Sequence, residues 1–272
     1  MRGVAIVYRW ELAKLRHLKR TYLGLGMAVL VPVLFVIAVH IRHQHEHGGG
    51  PPFTDYVDRS GLAIPLIVLL FGAIWLFPLI AALVAGDIVA AEDHDGTLKT
   101  VLTRSLERWQ LFLGKGLVAF TYACVATLLC GTVGVIAGSL QSGFHPLQSL
   151  SGTIVSAPRA LMLVYVSMLV YLIPIAAIVC IGLLLSTITR NSAAAVVGTL
   201  MLSIISQLIG ILPGLGSTQP YLISTQFNAW QGLLRTPIDT DPIVRAVWVS
   251  AIYAVISLGA AFIVFVRRDV AG

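Results

Sequence analysis

The sequence predicts an all-α integral membrane protein of six transmembrane helices, preceded by an amphipathic helix at the membrane interface. Three observations predict it. Hydrophobic residues make up 57% of the 272 and charged residues only 11%, whereas a soluble domain carries about 25% charged residues. Mean hydropathy is +0.90, which leaves more apolar surface than a soluble fold of this length could hide from water. The apolar residues also gather into stretches of about 20 residues or more. That is the length at which a helix rising about 1.5 Å per residue crosses about 30 Å of hydrocarbon.

The stretches are 23–41, 61–86, 116–140, 160–187, 193–212 and 246–266. The second and fourth are long and contain proline, Pro65 and Pro78 in one and Pro174 in the other. Tilting or kinking is expected there. The first stretch differs from a cleaved leader. Its basic flank, Arg2 to Arg20, is long, and no small-residue cleavage site follows Ile41. Residues 1–22 therefore read as an interfacial segment and 23–272 as one membrane domain.

An even number of spans puts both termini on one side. Of the 18 Lys and Arg, five (Arg42, Arg59, Arg159, Arg235 and Arg245) fall on the opposite side, leaving 18 − 5 = 13 with the termini. The positive-inside rule makes the side of the termini the cytoplasm, and the expected membrane is the cell (plasma) membrane. This orientation absorbs the net charge of +6, so no nucleic-acid partner is implied. Cys124, Cys130 and Cys180 all fall inside spans, where they read as small packing residues rather than a disulfide framework.

The N-terminal segment is amphipathic. At roughly 100° per residue, Arg2, Arg9, Arg16 and Arg20 fall within about 40° of one another. Val4, Val7, Tyr8, Leu12, Leu15 and Leu18 share the opposite side. Such a helix lies in the interface beside anionic lipids. Glu11 breaks the apolar stripe, and a buried carboxylate needs a basic partner. Lys14 on the same helix is one candidate, and a Lys or Arg of the 92–108 loop is another.

Ionisable residues are scarce between the span ends. Lys115 and Asp87 sit at cytoplasmic edges and His40 at the outer edge. A proton relay or ion-coupled carrier needs such groups near the midplane. No His–Glu zinc pattern or Asp pair suggests an intramembrane hydrolase. Gly114-Lys115 is followed by Gly116 and lacks a Gly five residues before Gly114, so no phosphate-cradling loop is present. The chain is not itself expected to be an ATPase or another enzyme.

The most informative segment is the loop 91–110. An acidic cluster, Glu92-Asp93-His94-Asp95, leads into Gly96-Thr97-Leu98-Lys99, with Leu98, Val101 and Leu102 on one helical face. Asp95 is suited to cap that helix, and the acids suit its positive end. Ser105 is suited to cap a second helix with Arg108 in its first turn.

This segment resembles the type-2 family of ABC transporter permeases, the drug-efflux and bacitracin-resistance kind. The resemblance rests on Glu92, Gly96-Thr97-Leu98, Lys99, Leu102, Arg108 and Gly114-Lys115, and on Trp10-Glu11-Leu12-Ala13-Lys14-Leu15-Arg16 near the N-terminus. One departure is Arg104-Ser105, where many members carry a Pro. The resemblance implies that Glu92, Gly96, Thr97, Leu98, Lys99, Leu102 and Arg108 belong to a cytoplasmic coupling helix. That helix docks on a separate ATPase chain, which carries the ATP and magnesium; this chain binds no cofactor. Glu11, Lys14 and Arg16 belong to the interfacial helix. The resemblance further implies two permease chains, identical or different, enclosing a path between their second and fifth spans. Ile67, Phe71, Trp75 and Pro78 form one helical row there, and Val197, Met201 and Gln207 lie on the other span. Phe71, Trp75, Met201 and Gln207 are the candidate cargo contacts.

The expected function is thus the permease subunit of an ATP-driven exporter for an amphipathic or hydrophobic substrate. A non-transport assembly or sensor subunit is the alternative. An ion-coupled secondary transporter is disfavoured by the lack of midplane charge. In the outer loop 213–245, Phe227, Trp230 and Leu234 share a face. They suggest a short helix that re-enters the bilayer, as the resemblance implies, or lies on the surface anchored by Trp. His43, His45 and His47 would share one face of a strand. The adjoining Gly48-Gly49-Gly50 and Pro51-Pro52 indicate a flexible loop with no fixed metal site.

Overall fold

The computed structural model describes residues 2–45, 54–94, 107–212 and 216–267. The order is α1 (Arg2–Leu15), α2 (Lys19–His45), α3 (Thr54–Arg59), α4 (Ala63–Gly72), α5 (Leu76–Ala85), α6 (Ala90–His94) and α7 (Arg108–Ser142). A two-residue hairpin follows, β1 (Leu147–Gln148) with β2 (Ile154–Val155), antiparallel with Leu147 opposite Val155. Then come α8 (Ala157–Thr189), α9 (Ser192–Ile211), a 3-10 turn Gln219–Tyr221, α10 (Ile223–Gln226), a 3-10 turn Ala229–Leu234 and α11 (Asp241–Arg267). The protein is all-α apart from that hairpin.

Five helices, α2, α7, α8, α9 and α11, are long and apolar enough to cross a membrane. The bent pair α4 and α5 makes a sixth candidate, with 63° between its halves. The chain is therefore a multi-pass membrane protein by the length and composition of its helices.

The bend has a local cause. Pro78 has no N–H for the carbonyl four residues back, and its ring crowds that carbonyl, so the helix cannot run through Ile74. The turn 73–75 sits there, and Pro78 takes the third position of α5, where its missing donor costs little. The single row Ile67–Phe71–Trp75–Pro78 expected of a straight span is therefore broken between Phe71 and Trp75. Ile67 and Pro78 are buried, while Phe71 is 44% and Trp75 45% exposed.

The pair still traverses the bundle. Its start lies against one end of α7, where a Cβ on Gly61 would sit 2.0 Å from the Gly138 carbonyl oxygen. Past its other end, the Ile88 carbonyl accepts a hydrogen bond from Lys115 at 3.0 Å. Gly138 and Lys115 are about 34 Å apart along α7 at 1.5 Å per residue.

Tyr171 of α8 holds the bend. It is fully buried, donates its hydroxyl to the Leu69 carbonyl at 3.0 Å, and packs edge-on against Phe77 and Phe227 at 4.9 Å each. Phe227, Trp230 and Leu234 are all buried, so the segment after α9 folds inward on the protein and is no surface helix anchored by Trp. It also breaks into α10 and a 3-10 turn, with Phe227 in the break, rather than forming one helix.

Two further expectations are corrected. The helix α1 stops at Leu15, so Arg16 lies in a turn and Arg20 on α2; the basic stripe does not run along one helix. His43 and His45 belong to the end of α2, not to a strand, and His47 lies outside the described residues. The three cysteines are free thiols in α7 and α8.

Two glycines in long helices should respond oppositely to alanine. A Cβ on Gly138 would meet the Gly61 carbonyl oxygen at 2.2 Å, whereas one on Gly259 meets nothing within 4 Å. Gly138→Ala should lower the thermal midpoint in detergent, by an overpacking cost of about 1–3 kcal/mol. Gly259→Ala should hold or raise it by about 0.5–1 kcal/mol.

Candidate functional site

The polar residues that need explaining gather at the end of the bundle that carries both termini. Val7, Glu11 and Leu15 recur every four residues along α1 and form its buried seam. The seam approaches α7 closely because Gly114 stands opposite; a Cβ there would lie 2.5 Å from Val7 Cγ1. Tyr8 donates to Thr121 Oγ1 at 3.1 Å on the same contact.

The next residue, Lys115, is 0% exposed. Its Nζ lies 2.5 Å from Glu11 Oε1, 2.8 Å from Glu92 Oε2 and 3.0 Å from the Ile88 carbonyl. Three oxygens thus surround an ammonium that has three protons. Lys14 reaches the other oxygen of Glu92, donating at 2.7 Å, and its ammonium stands 5.6 Å from the Trp10 ring centre. Glu11 and Glu92 are each 1% exposed. Two lysines and two glutamates make a formally neutral cluster. Neutrality is what permits the burial, since an unpaired buried charge costs several kcal/mol. Burial pushes the Glu11 carboxyl above its ordinary range, and the Lys115 ammonium pulls the other way.

A second group adjoins the first. Arg20 of α2 pairs with Asp87, and the Ser192 hydroxyl at the start of α9 donates to the same carboxylate. Arg20 also donates to Ser192 Oγ at 3.4 Å. A cavity of about 60 Å³ lies between the groups, lined by Glu11, Lys14, Arg20 and Asp87. From α8, Ser186 Oγ accepts from the N–H of Val89 at 3.3 Å and of Ala90 at 3.0 Å. Ala90 opens α6 and Val89 stands just before it, at a helix start, where N–H groups take partners from outside the helix. Ser186 thereby fixes the short helix that carries Glu92.

The structure brings together Glu11, Lys14 and Glu92 from the sequence-derived candidates and adds Lys115. Among the described residues, the ion-pair partner of Glu11 is Lys115 of α7. Lys115 read as an edge residue because it immediately precedes the apolar run 116–140; the Gly114-Lys115 pair at that edge was the available signal. Arg108 begins α7, with Glu107 at the N-cap, and donates to the Val266 carbonyl at 2.8 Å, near the end of α11. Arg16 is exposed, and its carbonyl accepts from the Tyr22 hydroxyl at 2.8 Å. Gly96, Thr97, Leu98, Lys99 and Leu102, with Asp95, Val101 and Ser105, lie outside the described residues. Phe71, Trp75 and Met201 are exposed on the bundle surface and Gln207 is half-buried, away from the cluster. Among the described residues, no group of three or more His, Cys, Asp or Glu could hold a metal.

Residues 27–271 match the model of a family described as a protein of unknown function, DUF2705. The match covers most of the chain, and the chain belongs to that family. It includes Glu92 and Lys115 and begins after α1, so Glu11 and Lys14 precede it. Comparison with curated proteins finds no match.

Charge balance in the cluster yields a prediction. Lys115→Met leaves two carboxylates against Lys14 and should destabilise the protein by about 3–5 kcal/mol. Adding Glu11→Gln restores neutrality around the remaining Lys14–Glu92 pair. The double variant should therefore recover much of the loss in a detergent unfolding assay. A double variant as unstable as the sum of the singles would show that Glu11 and Lys115 act separately.

Proposed function

We propose that this chain is the membrane-spanning permease subunit of an ATP-driven ABC exporter for an amphipathic or hydrophobic substrate. On this reading α4 and α5 together count as the sixth span, and both termini face the cytoplasm across the cell membrane. The helix α1 is the interfacial helix, and the loop 91–110 carries the coupling helix for a separate ATPase chain that binds ATP and magnesium.

The observation that carries the reading is the fastening of Glu92. It stands at the foot of the loop whose Gly96-Thr97-Leu98-Lys99 run resembles the coupling segment, and it is gripped by Lys115 of α7 and Lys14 of α1. A push on that loop by an ATPase would reach two other elements directly through buried ion pairs. Asp87, just beyond α5, links the same region to α2 and α9 through Arg20 and Ser192. The five arginines assigned to the side opposite the termini fit the orientation: Arg42 lies in the last turn of α2, Arg59 ends α3, Arg159 stands in the first turn of α8, Arg235 follows the 3-10 turn Ala229–Leu234, and Arg245 lies near the start of α11.

The reading also needs a second permease chain. Phe71, Trp75 and Met201, 44%, 45% and 52% exposed, offer large adaptable apolar contacts, and Gln207 offers a polar handle. The two spans that carry them meet where a Cβ on Gly86 would lie 2.9 Å from Val196 N.

Cysteines placed at Thr97 or Lys99, in a background lacking the three native cysteines, should crosslink to the ATPase encoded beside this chain. Free labelling of the loop by a bulky thiol reagent in the assembled complex would contradict the docking. Trp75→Ala or Met201→Ala should change which amphiphiles are exported while dimer formation and basal ATP hydrolysis persist. Equal loss for all cargoes together with poor assembly would assign these side chains to packing.

A further inference from the structure

At the end of the bundle opposite the ion cluster lies a cavity of about 430 Å³. Small-ligand sites typically measure about 300–1,000 Å³. The hairpin β1–β2, the first turns of α8 and the segment before α11 frame it. Arg159 and Arg235 line it, together with the hydroxyls of Ser156 and Thr236.

The charge there is not consumed by the protein. Arg159 makes no ion pair or hydrogen bond among the described residues. Arg235 is paired with Asp239 at 3.3 Å, and both are partly exposed. Among the described residues, Arg159 is therefore the cavity cation without a counter-ion. Ser156 occupies the N-cap of α8 yet makes no side-chain cap bond, which leaves its hydroxyl available to a ligand. The start of a 33-residue helix adds a positive end to the same region.

Ser149 and Thr153 also line it, their hydroxyls bonded to each other at 2.7 Å, and apolar side chains complete the wall. Ile154, Leu163 and Ile238 line the cavity. Ile154 is 80% exposed, and Leu150 on the same hairpin is 50% exposed. Arg159 stands in the first turn of a helix whose following residues are apolar enough to lie in lipid. With α8 crossing a bilayer, as its length and composition suit it to do, the cavity at its start would lie near the boundary of water and hydrocarbon, and its lining combines a cation and hydroxyls with apolar side chains. Guanidinium recognises phosphate and carboxylate through its planar fork of donors.

We propose that this cavity binds an anionic amphiphile, with Arg159 as the principal cation for a phosphate or carboxylate head and Ile154, Leu163 and Ile238 against its hydrocarbon chain. The inference needs only that the chain lies in a bilayer; it does not depend on a partner ATPase.

The test uses the full chain in nanodiscs of zwitterionic lipid. Binding of dodecyl phosphate, inorganic phosphate and dodecanol is measured by calorimetry. Dodecyl phosphate should bind saturably and at least tenfold more tightly than the other two. Arg159→Gln should weaken it at least tenfold with the thermal midpoint unchanged, since Arg159 is exposed and unpaired. Arg245→Gln, on the same side but outside the cavity, should leave binding unchanged. Inorganic phosphate binding as tightly as dodecyl phosphate would mean a site for a free anion and overturn the proposal. So would dodecanol binding equally well, or an Arg159→Gln variant that binds dodecyl phosphate like the parent.

Discussion

A lysine with no exposed surface, surrounded by apolar helices, sets the terms for this end of the molecule. Lys115 can remain an ammonium there only with anionic oxygens within hydrogen-bonding reach. Glu11 and Glu92 supply them, and both precede it in sequence, one in the N-terminal helix and one in the short helix after the broken span. Lys14 then balances the second carboxylate. Because these charges compensate one another, the placements of α1, α6 and α7 depend on each other. The neighbouring Arg20–Asp87–Ser192 group extends the same dependence to α2 and α9.

Close backbone approach makes this geometry possible. Gly114 admits α1 to α7 one residue before the lysine that the helix must meet. Gly182 and Gly86 let α8, α5 and α9 come together near the same end, where a Cβ on Gly182 would stand 2.9 Å from Ala85 Cβ. Within a bilayer, helices gain little from burying apolar surface against one another, so packing of small residues and interhelical polar contacts hold them. Tyr171 plays the corresponding part in the middle of the bundle. Its hydroxyl occupies a carbonyl near the broken end of α4, and its ring joins Phe77 to Phe227. The bend in the second span and the infolded outer segment therefore share one buried aromatic group.

The two ends of the bundle carry different chemistry. One gathers compensated charges that tie elements to one another, and its polar groups are directed inward. The other exposes arginines, hydroxyls and an oily hairpin around an open cavity. A region built of mutually satisfied ion pairs is suited to transmitting displacement, because its members move together. A region with an unmatched guanidinium beside hydrocarbon is suited to meeting a molecule from the membrane boundary.

Hydrophobic content and span length determined the membrane class by themselves, because a helix that crosses hydrocarbon must be apolar over most of its length. The stretches 116–140, 160–187 and 246–266 each fall inside a helix for that reason, and 193–212 overruns its helix by one residue. Periodicity also placed Glu11 within an apolar seam. It could not name Lys115 as the partner, because the contact joins residues 104 apart in sequence and depends on how two helices cross. The break in the second span had a visible cause in Pro78, but its position and its 63° bend follow from what the two halves pack against. Phe227, Trp230 and Leu234 showed a shared apolar face in sequence, and only the packing on α8 decided that this face turns into the protein. The cavity beside Arg159 left no mark in the sequence at all. Its walls come from two segments far apart in sequence, 149–163 and 233–238, and a cavity is a property of how segments are spaced in three dimensions.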